Sequence, residues 1–450
     1  MSRPIVCFFR KYLPGLNFES FLPILLLLAS SFSCRDDGIE PTITDLHLTV
    51  VDINPTEVWL HLKSTVASGT VSVSRDDGLI LGIYRSPVDT FFLNDSLRPL
   101  QTYRYEAAIT SGFPRFRDRV QITTLDTTSH NFTWQVDTVG IESSGLYGAA
   151  IMNDTSVWVV GELYGSDTSG QLISYNAAHW DGEKWTLIRI LYPYQGALYY
   201  ANLRSIFAFS SNDFWVGSNQ PMHWNGTRWE TFDLLGDVWN GWIARMWGTS
   251  SSNLTIVGSN GAIAHYDGHR WQKQESGTSS DLTDVWGIGD GSQIWACGNN
   301  EVSGASALVA FHRSSGSWRV LWDAFAPNPT FPYRYSIQSL WTPGRGKFII
   351  TGGEVYYHSL IETSLVQVHP FEIPNYAYCV RGSSINNACL IGDYAMVMHY
   401  NGSTWHLYEE LRNADELLYG LSVSDRLVVA VGTRYLLGAS RTGLVIMGRR

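Results

Sequence analysis

The sequence predicts an all-β chain, and three observations predict it. Aromatic residues make up 13% and glycines number 41, while charged residues are only 16%; such a composition fits pleated, turn-rich structure better than helix. Apolar positions alternate with polar ones in short runs. A unit of about forty residues, each with the pattern of four short strands, recurs along the C-terminal two-thirds. The 450 residues allow two or three domains, and a hydrophobic fraction of 44% is enough for real cores.

The chain begins with the pattern of an export signal. Arg3, Arg10 and Lys11 precede the apolar run "FLPILLLLASSF" (21–32), which is too short to cross a membrane as a helix. It ends in "SFSC", with a small residue before Cys34. This resembles the lipobox of bacterial lipoproteins, which implies signal cleavage at residues 1–33 and lipidation of Cys34. Ser31, Phe32 and Glu19 depart from that pattern, and the other reading is an ordinary secretory signal cut nearby. "RDD" (35–37) lies within the linker 34–40 and resembles the surface-export signal of some Gram-negative lipoproteins. The expected location is therefore the outer membrane, by a lipid anchor, on the surface or in the periplasm. Without residues 1–33 the chain carries 28 basic against 40 acidic groups, a net −12. No basic run stands out, so nucleic acid is not an expected partner, and membrane attachment falls to the lipid.

Residues 41–125 alternate in strand fashion, as in "TEVWLHLKS" and "TVSVSR". Then comes "LRPLQTYRYEA". Leu97, Pro99 and Tyr103 at this spacing resemble the tyrosine corner of fibronectin type III domains, and "QITTLD" resembles that family's last strand. The resemblance implies a β-sandwich. Leu60 or Leu62 replaces the family's buried tryptophan, because Trp59 falls on the opposite face.

The repeat occupies 130–450. A strand ending in glycine recurs at Gly161, Gly217, Gly258, Gly298, Gly352, Gly392 and Gly432, at intervals of 56, 41, 40, 54, 40 and 40. A second signature follows most of these glycines: "HWDGEKW", "HWNGTRW", "HYDGHRW", "HRSSGSW" and "HYNGSTW". Asp-Gly and Asn-Gly are preferred two-residue hairpin turns. Four antiparallel strands in about forty residues make one propeller blade, so the sequence predicts a seven-bladed β-propeller. The seventh unit lacks a fourth strand, and the orphan strand 131–139, with Trp134, is expected to close the ring. The repeats resemble those of secreted bacterial propellers with DG-x-x-W turns, a likeness informative about architecture and not about activity.

"HYDGHRW" (265–271) taken alone has the look of a His-Asp-His site. His265 has counterparts at His179, His223, His312, His358 and His399, however, so six of the twelve histidines are spread over six blades. They cannot converge on one metal, and no metal or cofactor is expected. Each histidine is expected to bond within its own blade, Trp271 to pack between blades and His269 to be solvated. Cys379 and Cys389 are expected to be buried free thiols, a cross-strand disulfide being the other option.

The repeat is broken by loops at 162–178, 191–202, 235–242, 299–306 and 324–336, all on one face by this alignment. They hold Tyr192, Tyr194, Tyr199 and Tyr200, Trp239 and Trp242, and Phe325, Phe331, Tyr333 and Tyr335. Aromatics of this kind offer flat apolar area with a polar handle to a sugar or a peptide. The alternative is that they pack on one another and pin the loops. Arg204, Arg245, Arg334, Arg381 and Asp284 are candidates to reach the channel. No phosphate loop, nucleophile elbow or HExxH motif appears, and no catalytic residue is assigned. The expected function is a monomeric, non-enzymatic surface lipoprotein that binds a protein or glycan ligand. The rivals are a glycoside hydrolase or lyase on the same scaffold, and a structural part of an envelope assembly.

Overall fold

The computed structural model describes residues 46–112, 115–194, 197–234, 236–300, 305–312, 315–324, 336–344, 348–358, 368–371, 373–436 and 440–450. Leu46–Arg450 form one compact unit. Cys34 and the leader lie outside the described residues. No α-helix occurs among those described.

Five strands come first: β1 (Leu46–Ile53), β2 (Val58–Arg75), β3 (Ile80–Asn94), β4 (Thr102–Ser111) and β5 (Arg117–Thr123). β2 and β3 are long and change partners midway. The first half of β2 pairs with β1 on one edge and with Val88–Asn94 of β3 on the other. Its second half pairs with Ile80–Ser86 of β3 and with β4, which carries β5. The β2–β3 register slips between Ser64 and Gly69. Gly69 is at φ +150°, and a Cβ there would sit 2.5 Å from the Ser111 carbonyl oxygen, so only glycine fits this bend. Three strand segments thus face four across one core of Leu48, Leu60, Leu62, Val71, Val73, Tyr105 and Ile109. The Arg98 N–H donates to the Tyr103 hydroxyl at 2.9 Å, and Leu97 is buried beside it. Trp59 stays out of this core, as its alternation predicts, but it too is buried.

Seven four-stranded antiparallel sheets follow, the first six each built in chain order. Their first strands are Gly145–Asn153, Ser205–Ser210, Ile243–Ser250, Asp284–Gly287, Ile337–Trp341, Ala377–Ser384 and Glu416–Val423. Each first strand neighbours the next, and the seventh returns to the first. This closed ring of radial sheets is a β-propeller. The seventh sheet takes its outer strand from β6 (Thr133–Val139), which pairs with Arg441–Arg449. Most of the segment 131–139 is thus the outer strand of the seventh sheet.

The repeat positions have local causes. A Cβ on Gly258 would lie 2.0 Å from the Trp242 carbonyl, and one on Gly392 would lie 1.9 Å from that of Tyr376. The glycine exists because the preceding inter-sheet loop packs its backbone against it. Each hairpin Asp or Asn accepts two N–H groups of its own turn. Asp267 Oδ1 takes those of His269 (2.9 Å) and Arg270 (2.8 Å), and together they hold its carboxyl down to about 2. The histidines bond to the start of the second strand: His179 to Ser156, His223 to Asp213, His265 to Thr255 and His399 to Asn387. The side chains of His312 and His358 lie outside the description. Trp271 meets Trp215 of the previous sheet edge-on at 5.7 Å, and His269 is exposed. The insertion 162–178, read as a loop, is largely strand, Ser156–Ser166 and Leu172–Trp180 lengthening one hairpin, and the described residues of the insertion 299–306 belong to strands Gln293–Asn300 and Ala305–His312. Cys297, Cys379 and Cys389 are free and buried.

The segment before β6 lies along the sixth sheet. The Asn386 amide donates to the Asp126 carbonyl at 2.8 Å, and the Tyr408 hydroxyl to that of His130 at 2.7 Å. Asn387 spends its amide hydrogens on Ser383 and the Ser424 carbonyl, so its oxygen accepts from His399 Nε2–H at 3.0 Å. His399 Nδ1 is then the acceptor for His130 Nδ1–H at 2.8 Å. Both imidazoles are neutral in this chain of bonds. Burial, helped by His130, Arg450 and His406, pushes His399 down to about 3. Burial first, then His406 and Arg450, lowers His130.

Candidate functional site

The starts of the seven first strands converge at one end of the central channel. Each sheet contributes a side chain to a cavity of about 200 Å³ there: Tyr147, Arg204, Trp242, Thr283, Gln338, Tyr378 and Tyr419, in chain order. The repeat fixes these positions. Tyr147, Gln338 and Tyr378 lie fourteen residues before Gly161, Gly352 and Gly392. Arg204 and Tyr419 lie thirteen before Gly217 and Gly432, Thr283 fifteen before Gly298, and Trp242 sixteen before Gly258.

Aromatic rings make up much of the wall. Tyr419 stands 6.1 Å from Tyr147 and 5.4 Å from Tyr378, centroid to centroid. Burial and a hydrogen bond with Tyr435 push the Tyr419 phenol well above its usual range. The Tyr378 hydroxyl bonds to Asp393, whose carboxyl is nevertheless raised by burial. The Arg204 guanidinium lies over two rings, 5.2 Å from Trp242 and 5.5 Å from Tyr147, in cation–π geometry. It makes no ion pair among the described residues. The Thr283 hydroxyl donates to the Gln338 carbonyl at 2.7 Å. The Gln338 side-chain oxygen accepts from Asn299, which leaves its amide N–H groups for the cavity.

Arg245 forms the floor. Its guanidinium reaches across the channel to the Tyr419 carbonyl at 2.7 Å and back to that of Ala244 at 2.9 Å. Beyond it lies the bore, a second cavity of about 210 Å³ that Trp286 and Arg381 help to line. There Asp284, Ser339 and Arg381 tie three first strands together. Arg381 makes a two-pronged contact with Asp284 at 2.6 and 2.8 Å and stacks 4.8 Å from Trp286. Asp284 also accepts from Val285 N–H, Leu340 N–H and the Ser339 hydroxyl. No group of three His, Cys, Asp or Glu side chains among the described residues could hold a metal.

The aromatics singled out in the sequence divide. Trp242 is in the mouth. Trp239 is not a surface platform. It is 1% exposed, sits in the hydrophobic core beside Trp215 and Trp271, and donates its indole N–H to the Gly241 carbonyl at 3.1 Å. Tyr192 and Tyr199 stack at 6.0 Å on a small hairpin (Tyr192–Tyr194 with Ala197–Tyr199), where Tyr199 is exposed. The Tyr200 hydroxyl lies 2.7 Å from the Tyr175 carbonyl and 3.0 Å from Asn202 Oδ1. Burial pushes its phenol up to about 12, and Tyr200 anchors its loop. The Tyr194 side chain, Phe325, Phe331, Tyr333, Arg334 and Tyr335 lie outside the described residues. Tyr147, Tyr378, Tyr419, Thr283 and Gln338 were not foreseen as site residues. Their distance from the repeat glycine is the signal that finds them.

No family model matches the chain, and no curated protein matches it. Among solved structures the chain is similar to the WD40 β-propeller domain of Doa1, at 11% identity and a TM-score of 0.47, over 71% of this chain and 98% of that one. It is also similar to YCF48 from Cyanidioschyzon merolae, at 13% identity and a TM-score of 0.46, over 70% and 98%. The propeller assignment rests on strand order and ring closure, which stand without these likenesses.

Proposed function

We propose that this chain is a non-enzymatic binding protein: a seven-bladed propeller, carried behind a fibronectin type III-like module, that takes a protein or glycan ligand at the channel mouth. The observation that carries the reading is the mouth itself. All seven sheets contribute to it, aromatic faces and two guanidinium groups line it, and no carboxylate does among the described residues. Acid–base hydrolysis of a glycoside needs a pair of carboxylates across the bond. The bore carboxylate, Asp284, is fully engaged by Arg381, which supports binding over hydrolysis. For the N-terminal module, support comes from the three-against-four strand pairing and the Arg98–Tyr103 hydrogen bond. The leader pattern supports export and a lipid on Cys34, and mass spectrometry of the mature N-terminus tests that part.

The test of the binding reading is a screen of the full-length protein on glycan and peptide arrays, followed by Trp242→Ala and Tyr378→Ala. The expected result is a ligand whose signal both variants reduce by about tenfold or more, with little change in melting temperature. Ligands bound equally well by wild type and both variants would move the site elsewhere and favour the envelope-scaffold alternative.

A further inference from the structure

We propose that the mouth recognises an anionic sugar residue at the end of a glycan chain, with Arg204 as the anion contact. The inference rests on the binding reading above and names its ligand class.

The first argument is charge. The chain is acidic, with a formal net charge of −10, and its arginines are commonly engaged by carboxylates. Arg75, Arg117, Arg119, Arg381, Arg434 and Arg441 all are. Arg204 is exposed, holds no carboxylate among the described residues, and is positioned by two aromatic faces instead. Stacking immobilises a guanidinium while leaving its N–H groups to donate. A planar donor fork fixed at a cavity rim matches a carboxylate or a sulfate. The neighbouring Arg245 adds positive charge and, among the described residues, is bonded only to carbonyls.

The second argument is depth. Arg245 closes the floor, and about 200 Å³ lies above it. Ligand pockets for drug-sized molecules run to roughly 300–1,000 Å³, so this one takes a single ring or end group, not a run of chain passing through. The third argument is the lining. Among the described residues Ala244 is the one aliphatic side chain in it, so they form no socket for an apolar peptide side chain. Flat aromatic faces, phenols, the Thr283 hydroxyl and the Gln338 amide suit a ring that is apolar on its faces and bears hydroxyls on its rim.

The experiment is saturation-transfer NMR on the full-length protein at millimolar ligand. The probes are methyl β-glucuronide, methyl β-glucoside 6-sulfate and neutral methyl β-glucoside, with a short peptide compared as free acid and as amide. At least one acidic sugar is expected to bind about tenfold more tightly than the neutral one. The carboxylate and sulfate arms tell which anion is preferred. Arg204→Ala should remove that margin, Arg204→Lys should keep part of it, and raised salt should narrow it. Equal binding of neutral and acidic sugars, unaffected by Arg204→Ala but lost in Trp242→Ala, overturns the anion inference and leaves the mouth as a glycan site. Arg204-dependent binding of the free-acid peptide alone overturns the sugar class. Failure of every acidic sugar to bind overturns the proposal outright.

Discussion

The bore and the mouth of the channel share one lining side chain, Arg245, yet they use arginine for opposite ends. In the bore, Arg381 and Asp284 are almost wholly buried, and both Asp284 oxygens and both terminal Arg381 nitrogens are bonded. Such a network meets the buried guanidinium with its counter-charge, leaves the Asp284 carboxylate fully engaged, and ties the fourth, fifth and sixth sheets together. In the mouth, Arg204 is held by ring faces alone among the described residues. The architectural arginine has a buried carboxylate as its partner, whereas the recognition arginine, two residues nearer the strand start in the repeat, has none among the described residues.

The largest expected effect follows from stranding a bore charge. Asp284→Ala leaves a buried guanidinium without its counter-charge, and a loss of about 3–5 kcal/mol in urea unfolding is expected. A midpoint that barely moves would break the contrast between the two regions. Next, the two tryptophans of one loop should behave differently. Trp239→Ala empties core volume and should cost about 3–5 kcal/mol, whereas Trp242→Ala should cost about 1 kcal/mol or less and instead weaken ligand binding. Thermal melts of both variants beside the array signal would sharpen or erase this distinction.

A third test concerns the histidine chain at the seam, another satisfied network. His399 and His130 are neutral in the fold and have lowered pKa values, His399 to about 3, whereas an unfolded imidazole titrates near about 6.5. The unfolded chain thus binds more protons below that value. The stability contributed by the pair is fully present above about pH 6.5 and falls as pH drops toward about 3. Melting temperatures from pH 7 to 4 should decline, and His399→Gln should flatten the curve. A wild-type profile no steeper than the variant's would exclude the pair as the cause. The smallest effect is reserved for Arg204→Ala, which should change stability by about 0.5 kcal/mol or less. A larger loss would make Arg204 architectural after all.

The ring was legible in the sequence because its causes recur. The glycine, histidine, Asx-Gly turn and tryptophan each solve the same local problem in sheet after sheet, so they survive as a visible pattern. Even strand 131–139 could be assigned from one missing partner. The mouth was less legible because its seven positions do not repeat: Tyr, Arg, Trp, Thr, Gln, Tyr and Tyr occupy equivalent places. Arg204 and Arg245 were named as channel residues, but not as partners of the tyrosines. Aromatic content misled at Trp239. Its loop folds back, with Gly236 N–H on the Trp239 carbonyl and Trp239 N–H on the Leu234 carbonyl, and the indole drops into the core. Local polarity carries no sign of such a turn.

Strand β6 has a consequence for how the protein is made. It precedes every complete sheet of the ring, yet its partner is Arg441–Arg449. A ribosome finishes six sheets while this strand still has nothing to pair with. Its unpaired edge, carrying Trp134 and Val136, stays open to other chains throughout synthesis. Closure also spans nearly the whole repeat, so it comes late and depends on long-range contact. Residues 126–132, bonded to the sixth sheet, hold the waiting strand beside the place where its partner will arrive.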